Sequence, residues 1–187
     1  MKKLSVLAVM LLVSVIGRGN AGEFKSVVKS GLQPGEFPDA FVVQDCTGPK
    51  KGTSLCYRCR YGGRPVVTVF TRRSDGKVVD LIKKIDAKVG KNRDRKMAAF
   101  VVLLTDDPDK VELQLVELAK KHNIRHVPLT IFDGLDGPEA YKLSRKADVT
   151  VLMWLKQEVK VNYAFAKGQL DGKSVKQIVG ETSKILK

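Results

Sequence analysis

The sequence lacks the signatures of several large enzyme classes. Its 187 residues contain no Gly-x-Ser-x-Gly, no phosphate-binding glycine loop and no His-Glu-x-x-His, so nothing points to a serine hydrolase, a P-loop protein or a zinc peptidase. Aromatic residues make up only 6% of the chain, and no nucleic-acid-binding motif accompanies them. Because single strands bind by stacking bases on aromatic side chains, we expect no nucleic-acid partner.

Cysteine is also scarce, and two of the three cysteines form the one chemical motif of the chain. Cys56 and Cys59 are spaced as Cys-x-x-Cys and are the natural disulfide pair by proximity, while Cys46 lies ten residues before Cys56 and is close enough in sequence to exchange into the pair. Three arginines between positions 58 and 64 supply positive charge, which favours a thiolate. The motif is not a haem attachment site, since Arg60 stands where that site needs histidine. The Cys-x-x-Cys motif is compatible with three roles: a redox centre, a regulatory disulfide or a structural clasp.

Zinc half-sites are present only as local spacings. Cys56-x-x-Cys59 and His122-x-x-x-His126 each match half of a zinc motif, but 62 residues separate them and the histidines straddle a predicted helix end. We therefore expect no metal, and no residue pattern calls for a cofactor.

The first residues have the features of an export signal. Lys2 and Lys3 precede an apolar run over residues 4–16, and small residues lead to Ala21, after which cleavage is expected. The run is shorter than the roughly 20 apolar residues that span a bilayer. We predict a signal peptide over residues 1–21, no transmembrane anchor after cleavage, and a periplasmic or secreted protein; an uncleaved anchor is the alternative.

The chain is strongly basic, with a formal net charge of +14. The predicted signal holds three of these positive charges and no acid, which leaves +11 on the mature protein. Such an excess favours an anionic partner or surface. The densest run, residues 88–96, has five basic residues and one acid, and we interpret it as solvated surface rather than a binding patch.

Hydrophobic periodicity predicts one α/β domain over residues 37–187, after a flexible arm over residues 22–36. We expect strands over 41–44, 65–71, 98–105 and 127–132, then a hairpin over 149–154 and 159–165. Helices are expected over 77–89 (ended by Gly90), 109–122 and 173–186, with a short turn over 139–143. The predicted core consists of Val67, Val69, Phe70, Ile82, Ile85, Val101, Leu103, Leu115, Leu118, Ile131, Val151 and Ile178.

Four segments together resemble a known superfamily. They are residues 41–48 (Phe-Val-Val-Gln-Asp-Cys-Thr-Gly), 61–70 (Tyr-Gly-Gly-Arg-Pro-Val-Val-Thr-Val-Phe), 118–133 and 138–143. The order and the residues of these segments resemble the peroxiredoxin and redoxin branch of the thioredoxin-like superfamily, which includes alkyl hydroperoxide reductase-like proteins. The resemblance implies a three-layer α/β sandwich: a central mixed sheet with an antiparallel C-terminal hairpin and a C-terminal helix.

The resemblance stops at the positions where that superfamily carries its chemistry. Its reactive cysteines would fall near Asp75 and Val78, after the first core strand, and its cis-proline would fall at residues 147–150 (Ala-Asp-Val-Thr). Pro128 fits an ordinary strand start, so we expect a trans bond there. The Cys-x-x-Cys pair instead precedes the core strand, at that strand's N-terminal end, with no helix N-terminus expected behind it.

Two functions remain. In the first, the protein is a thiol-disulfide oxidoreductase or peroxiredoxin-like enzyme acting on protein thiols or disulfides, with Cys56 as nucleophile, Cys59 as resolving thiol and Cys46 as a third participant. In the second, it is a non-catalytic, basic binding module for an anionic partner, and the pair is a structural disulfide.

Overall fold

The computed structural model describes residues 28–74 and 76–186. The predicted signal peptide over 1–21, the first part of the predicted arm over 22–27, and Asp75 lie outside these residues. Within the described ranges, no helix combines the length and the apolar character needed to cross a membrane.

A seven-stranded mixed sheet forms the centre of the molecule. Its strands are β1 (Val43–Asp45), β2 (Ser54–Leu55), β3 (Val66–Thr71), β4 (Ala98–Thr105), β5 (Leu129–Asp133), β6 (Val149–Leu155) and β7 (Glu158–Phe165). They are ordered β2-β1-β5-β4-β3-β6-β7. Strands β3, β4 and β5 are parallel, and the remaining pairings are antiparallel. Every residue of β3 is buried, as its continuous β-branched run predicts.

Four helices and two 3₁₀ turns surround the sheet. They are α1 (Tyr57–Tyr61), α2 (Gly76–Lys91), α3 (Pro108–His122) and α4 (Gly172–Glu181), with 3₁₀ turns at Glu139–Tyr141 and Thr182–Lys184. The expectation that Gly90 ends α2 is wrong. A Cβ on Gly90 would lie 2.8 Å from the His126 ring, so this glycine permits a close contact inside the helix rather than stopping it.

Two apolar clusters lie on opposite faces of the sheet. Helices α2, α3 and α4 pack on one face, whereas α1, the turn at Glu139–Tyr141 and the segment 32–41 pack on the other. All residues predicted to form the core are buried. The predicted fold class is confirmed: a layered α/β sandwich with a mixed sheet, a C-terminal β6–β7 hairpin and a final helix.

The described part of the predicted flexible arm is packed against the domain. Leu32 is only 3% exposed, and Asn162 Nδ2 on β7 donates to the carbonyl oxygens of Ser30 and Leu32 at 2.8 and 2.7 Å. The Gly31 N–H donates to the Lys142 carbonyl at 3.0 Å. Hydrogen bonds with β7 and with the Lys142 carbonyl therefore hold residues of this segment, although its local composition is that of a loop.

Candidate functional site

Cys56 and Cys59 form a disulfide at the beginning of helix α1, with their Cα atoms 5.3 Å apart. Cys56 is the N-cap of this helix, and its Sγ accepts a hydrogen bond from the Cys59 N–H at 3.0 Å. Cys56 is half-buried and Cys59 is exposed. The expectation that no helix start lies behind the pair is wrong, since α1 follows Cys56 directly and ends before the core strand.

A buried carboxylate fixes α1 to the sheet. Asp45, fully buried at the end of β1, accepts hydrogen bonds from the Gly48 N–H at 2.6 Å, the Lys50 N–H at 2.8 Å and the Tyr57 hydroxyl at 2.8 Å. Gly48 is required here, because a Cβ at this position would lie 2.2 Å from the Tyr57 hydroxyl oxygen. The loop after β1 and the helix that carries the disulfide therefore share one anchor.

Aromatic rings extend this anchor into the core. The Tyr57 ring stacks on Phe100 with centroids 5.3 Å apart and lies 5.2 Å from Tyr61. Phe100 in turn meets Trp154 edge-on at 6.1 Å. Burial raises the pKa of Tyr57, and it raises the pKa of Tyr61 to about 12, so both phenols are neutral at physiological pH. Trp154 is the single tryptophan of the chain, and Phe100 connects it to Tyr57 of α1, so its fluorescence reports on the packing of this helix.

The helix that carries the disulfide holds two arginines, Arg58 and Arg60, and no acidic residue. The first turn of α1 holds no acid. Arg58 Nε donates to the Pro38 carbonyl at 2.7 Å, and the Arg64 guanidinium lies 5.1 Å from the centre of the Tyr61 ring. Cationic neighbours and an N–H donor both favour a thiolate over a thiol.

Cys46 has a different environment. It is fully buried, unbonded to the pair, and its thiol donates only a weak 3.8 Å contact to the Gln44 carbonyl. Burial, with Glu112 and Asp45 adding negative charge, raises the pKa of the Cys46 thiol to about 12. These surroundings oppose the reactive thiolate that a third participant in exchange would need.

The opposite end of the sheet, where the superfamily places its reactive cysteines, is filled by arginines. The Arg72 guanidinium donates to the carbonyl oxygens of Leu135 at 2.6 and 3.1 Å and of Ser144 at 3.3 Å, and also to that of Ala147. Burial lowers the pKa of Arg72. Arg73 Nε lies 3.8 Å from an Asp148 carboxylate oxygen. These residues tie the segment before β6 to the end of β3, so they have a structural role there.

Neither the proline nor the histidines add to the candidate site. No peptide bond between described residues is cis, so Pro128 has the predicted trans bond. His122 ends α3 and His126 lies exposed before β5. Over residues 28–74 and 76–186, no group of three or more His, Cys, Asp or Glu side chains is placed to hold a metal ion.

Sequence reasoning found the cysteine pair but missed the residues that position it. Asp45, Gly48 and Tyr57 belong to no motif that names a role, although the Asp-x-x-Gly turn over residues 45–48 was a detectable signal. Arg72 carried no signal, because its carbonyl partners come from segments more than 60 residues away.

Comparison with known proteins identifies the fold. No protein-family model matches the sequence, and no curated protein matches it. Solved structures do match. A protein from Chlorobium tepidum assigned as a thiol:disulfide interchange protein DsbE has 11% identity and a TM-score of 0.65, covering 83% of this chain and 99% of its own. AhpC of Mycobacterium tuberculosis has 14% identity and a TM-score of 0.63, covering 83% and 99%.

A third match is described as a secreted Mycobacterium tuberculosis disulfide oxidoreductase homologous to Escherichia coli DsbE. It has 9% identity and a TM-score of 0.56, covering 77% of this chain and 95% of its own. At these identities the likeness establishes the fold, and the chain has a thioredoxin-like, redoxin-type fold. Its cysteine pair stands at the other end of the sheet from the position at which the superfamily carries its reactive cysteines.

Proposed function

We propose that this protein is an exported thiol-disulfide exchange protein whose redox centre is the Cys56–Cys59 pair. The observation that carries the proposal is the exposed disulfide at the start of α1, in which the Cys59 N–H points at Cys56 Sγ from 3.0 Å. This donor stabilises a thiolate on Cys56 in the reduced protein, because hydrogen bonds to a charged acceptor are about twice as strong as neutral ones.

The exchange reaction balances with a partner disulfide. In the reduced protein, the Cys56 thiolate attacks one sulfur of the partner disulfide, forms a mixed disulfide and releases the partner's second sulfur as a thiolate. The Cys59 thiolate then attacks Cys56 Sγ, re-forms the Cys56–Cys59 bond and releases the partner's first sulfur. The protein dithiol loses two electrons and two protons, and the partner disulfide takes them up to become two thiols. A partner dithiol drives the reverse direction.

Accessibility and charge support this assignment of roles. Cys59 is exposed and Cys56 is only half-buried, so a partner sulfur can reach the pair without unfolding of the domain. Cys46 lacks both properties and is left out of the proposed mechanism. At the superfamily's usual position the described residues Ser74, Gly76 and Val78 offer no thiol, which leaves Cys56 and Cys59 as the proposed place for the chemistry.

Export is part of the proposal. It rests on the two lysines, the apolar run over residues 4–16 and the small residues before position 22. The secreted disulfide oxidoreductase among the structural matches is in keeping with it. N-terminal sequencing of the protein recovered from outside the cytoplasm of an expressing bacterium tests this part, and a first residue of Gly22 is the expected result.

Trapping of the mixed disulfide tests the redox proposal. Reduced protein is mixed with insulin, and with a disulfide-bonded peptide, and products are identified by mass spectrometry under acid quench. Wild type and the matched control Cys46→Ser should reduce the substrate, and Cys56→Ser should not. Cys59→Ser should accumulate a mixed disulfide at Cys56. A parallel peroxide-consumption assay distinguishes a peroxidase. No turnover by the wild type and no adduct in Cys59→Ser would contradict the proposal.

The second candidate function is a non-catalytic binding module in which the pair is a structural clasp. The specific observation in its favour is the Arg72 network, which fills the end of the sheet that carries the chemistry in redox members of the superfamily. Under this alternative, Cys56→Ser/Cys59→Ser keeps the biological role whenever it folds. Loss of that role from a folded double variant contradicts the module.

A further inference from the structure

A basic cleft lies at the N-terminal ends of β3, β4 and β5. Its volume is about 700 Å³, and its lining includes the cations Arg64, Arg93, Lys96 and Arg125, with His126 beside them. Tyr61, the last residue of α1, forms one wall. It stands two residues after Cys59, which on one helical turn corresponds to roughly 5 Å between α-carbons. The cleft and the disulfide therefore share one short helix.

The lining of the cleft is positively charged, and the carboxylate that contacts its loop from behind, that of Asp86, is buried and accepts main-chain N–H groups. Among the residues lining it, all within the described chain, none is acidic. Arg64 donates to the main-chain carbonyls of Lys96 and Met97, and Arg125 Nε donates to the Asn123 amide oxygen. Arg93 and Lys96 are exposed. Neighbouring cations with no carboxylate among the lining residues repel one another, and a bound anion would relieve this repulsion.

The cations are held on a fixed scaffold rather than on a loose surface. The buried Asp86 carboxylate on α2 accepts hydrogen bonds from the N–H groups of Arg125, His126 and Val127 at 3.0, 2.6 and 3.0 Å. This pins the loop before β5, and the His126 ring packs at Gly90. Such preorganisation lowers the ordering cost of binding.

We propose that this cleft binds an acidic peptide segment of the thiol partner and so brings the partner's sulfur to the Cys56–Cys59 pair. The proposal rests on the exchange function proposed above. Guanidinium groups pair with carboxylates through two parallel hydrogen bonds, and the volume is that of a site for several groups rather than one ion. A nucleic-acid strand fits less well. The only aromatic wall, Tyr61, is already packed on Tyr57 and Phe100 and covered by Arg64, which leaves no open ring for a base.

Binding is tested without any thiol chemistry. A cysteine-free, glutamate-rich peptide is titrated into oxidised protein by calorimetry, beside a glutamine-rich peptide, inorganic phosphate and a single-stranded oligonucleotide of equal charge. The acidic peptide should bind best, and its affinity should fall about tenfold or more between about 50 mM and about 500 mM salt. Tighter binding of the oligonucleotide, or equal binding of the neutral peptide, would overturn the proposal.

A charge-matched pair of variants locates the binding. Arg93→Gln/Lys96→Asn removes two cleft charges whose side chains have no structural partner in the described chain, and Asn suits the positive φ of 56° at position 96. The control Lys110→Gln/Lys146→Gln removes two exposed charges at the opposite end of the sheet. We expect about tenfold weaker peptide binding for the first variant and less than twofold change for the control. Equal loss in both, with unchanged melting temperatures, would contradict a local site.

Exchange kinetics connect the cleft to the disulfide. The oxidised protein is mixed with short cysteine peptides that are acidic or neutral, and with a small neutral thiol. The acidic peptide should react about tenfold faster than the neutral one, Arg93→Gln/Lys96→Asn should remove this advantage, and the small thiol should be unaffected. Equal rates for both peptides would refute docking while leaving the redox function intact. Binding without any exchange would refute the redox function, and the cleft would then be a binding site only.

Discussion

The double replacement Cys56→Ser/Cys59→Ser should leave the protein folded and cost about 2 kcal/mol of unfolding free energy. The bridge spans a sequence separation of only 3 residues, so the loop that it closes in the unfolded chain is short. The loop-entropy relation gives about 2 kcal/mol for a loop of this length at 25 °C. Serine at position 56 keeps an oxygen acceptor for the Cys59 N–H that now bonds Cys56 Sγ, so the helix cap is retained.

Urea unfolding followed by Trp154 fluorescence measures this cost. Wild type reduced by dithiothreitol should lose less than the serine variant, because the Cys59 N–H hydrogen bond to the Cys56 thiolate offsets most of the lost cross-link in the reduced protein. Cys56→Ala/Cys59→Ser is the matched control for the cap and should lose about 1 kcal/mol more. A loss above about 4 kcal/mol, or a variant that does not fold, would refute the reasoning and assign the pair as a clasp on which the fold depends.

The same magnitude bears on the redox potential of the pair. Folding favours the disulfide by the cross-link term of about 2 kcal/mol, whereas the Cys59 N–H favours the reduced form by about 1.5–3 kcal/mol through the Cys56 thiolate. The two terms nearly cancel, so the potential should lie within about 30 mV of that of a peptide spanning residues 54–62. Equilibration in glutathione buffers, with alkylation and mass spectrometry, measures both. A protein potential below about −300 mV is typical of inert bridges and would contradict the redox proposal.

Three further predictions test the framework around the site. Gly48→Ala should lower the unfolding free energy by about 2 kcal/mol or more, since its Cβ would meet the Tyr57 hydroxyl oxygen at 2.2 Å. The control Gly180→Ala, with open space around its Cβ, should be neutral or stabilising in the same urea assay. Equal effects of the two substitutions would contradict the role of Gly48 beside Asp45 and Tyr57. Arg72→Met should lower the unfolding free energy by about 3 kcal/mol, because it leaves carbonyls without their donor. The reduction potential of the Cys56–Cys59 pair should not change. A shifted potential would contradict the separation of the two ends of the sheet. Unfolding free energy should fall as pH rises from about 9 to about 12. The Cys46 pKa is raised to about 12 from 9.0 in the folded protein, so the folded state retains a proton that the unfolded state has lost. Cys46→Ala should show a shallower fall, and an identical slope in both proteins would refute the raised pKa of Cys46.

Sequence periodicity was sufficient for the main architecture. Continuous apolar runs, β-branched in the case of β3, predicted β3 and β4, and helical spacing of apolar residues predicted α2 and α3. Burial on two faces of a sheet and on one side of a helix imposes these patterns directly. The natural pairing of Cys56 with Cys59 also followed from sequence, since three-residue spacing forces proximity. The sequence likewise located the pair at the N-terminal end of the core strand, away from the superfamily's usual position.

Tertiary contacts decided the rest. Helix α1 spans only Tyr57–Tyr61, too short to be stable alone because helix nucleation is costly. It is stabilised by the hydrogen bond that the Tyr57 hydroxyl donates to the Asp45 carboxylate on β1. The basic cleft likewise draws Arg64, Arg93 and Arg125 from three separate segments, of which only the run over residues 88–96 stood out in the sequence, and there as solvated surface. Local pattern determines which residues are buried, but only the folded sheet brings charges from distant segments to one end of its strands, where their shared field becomes a property of the folded protein.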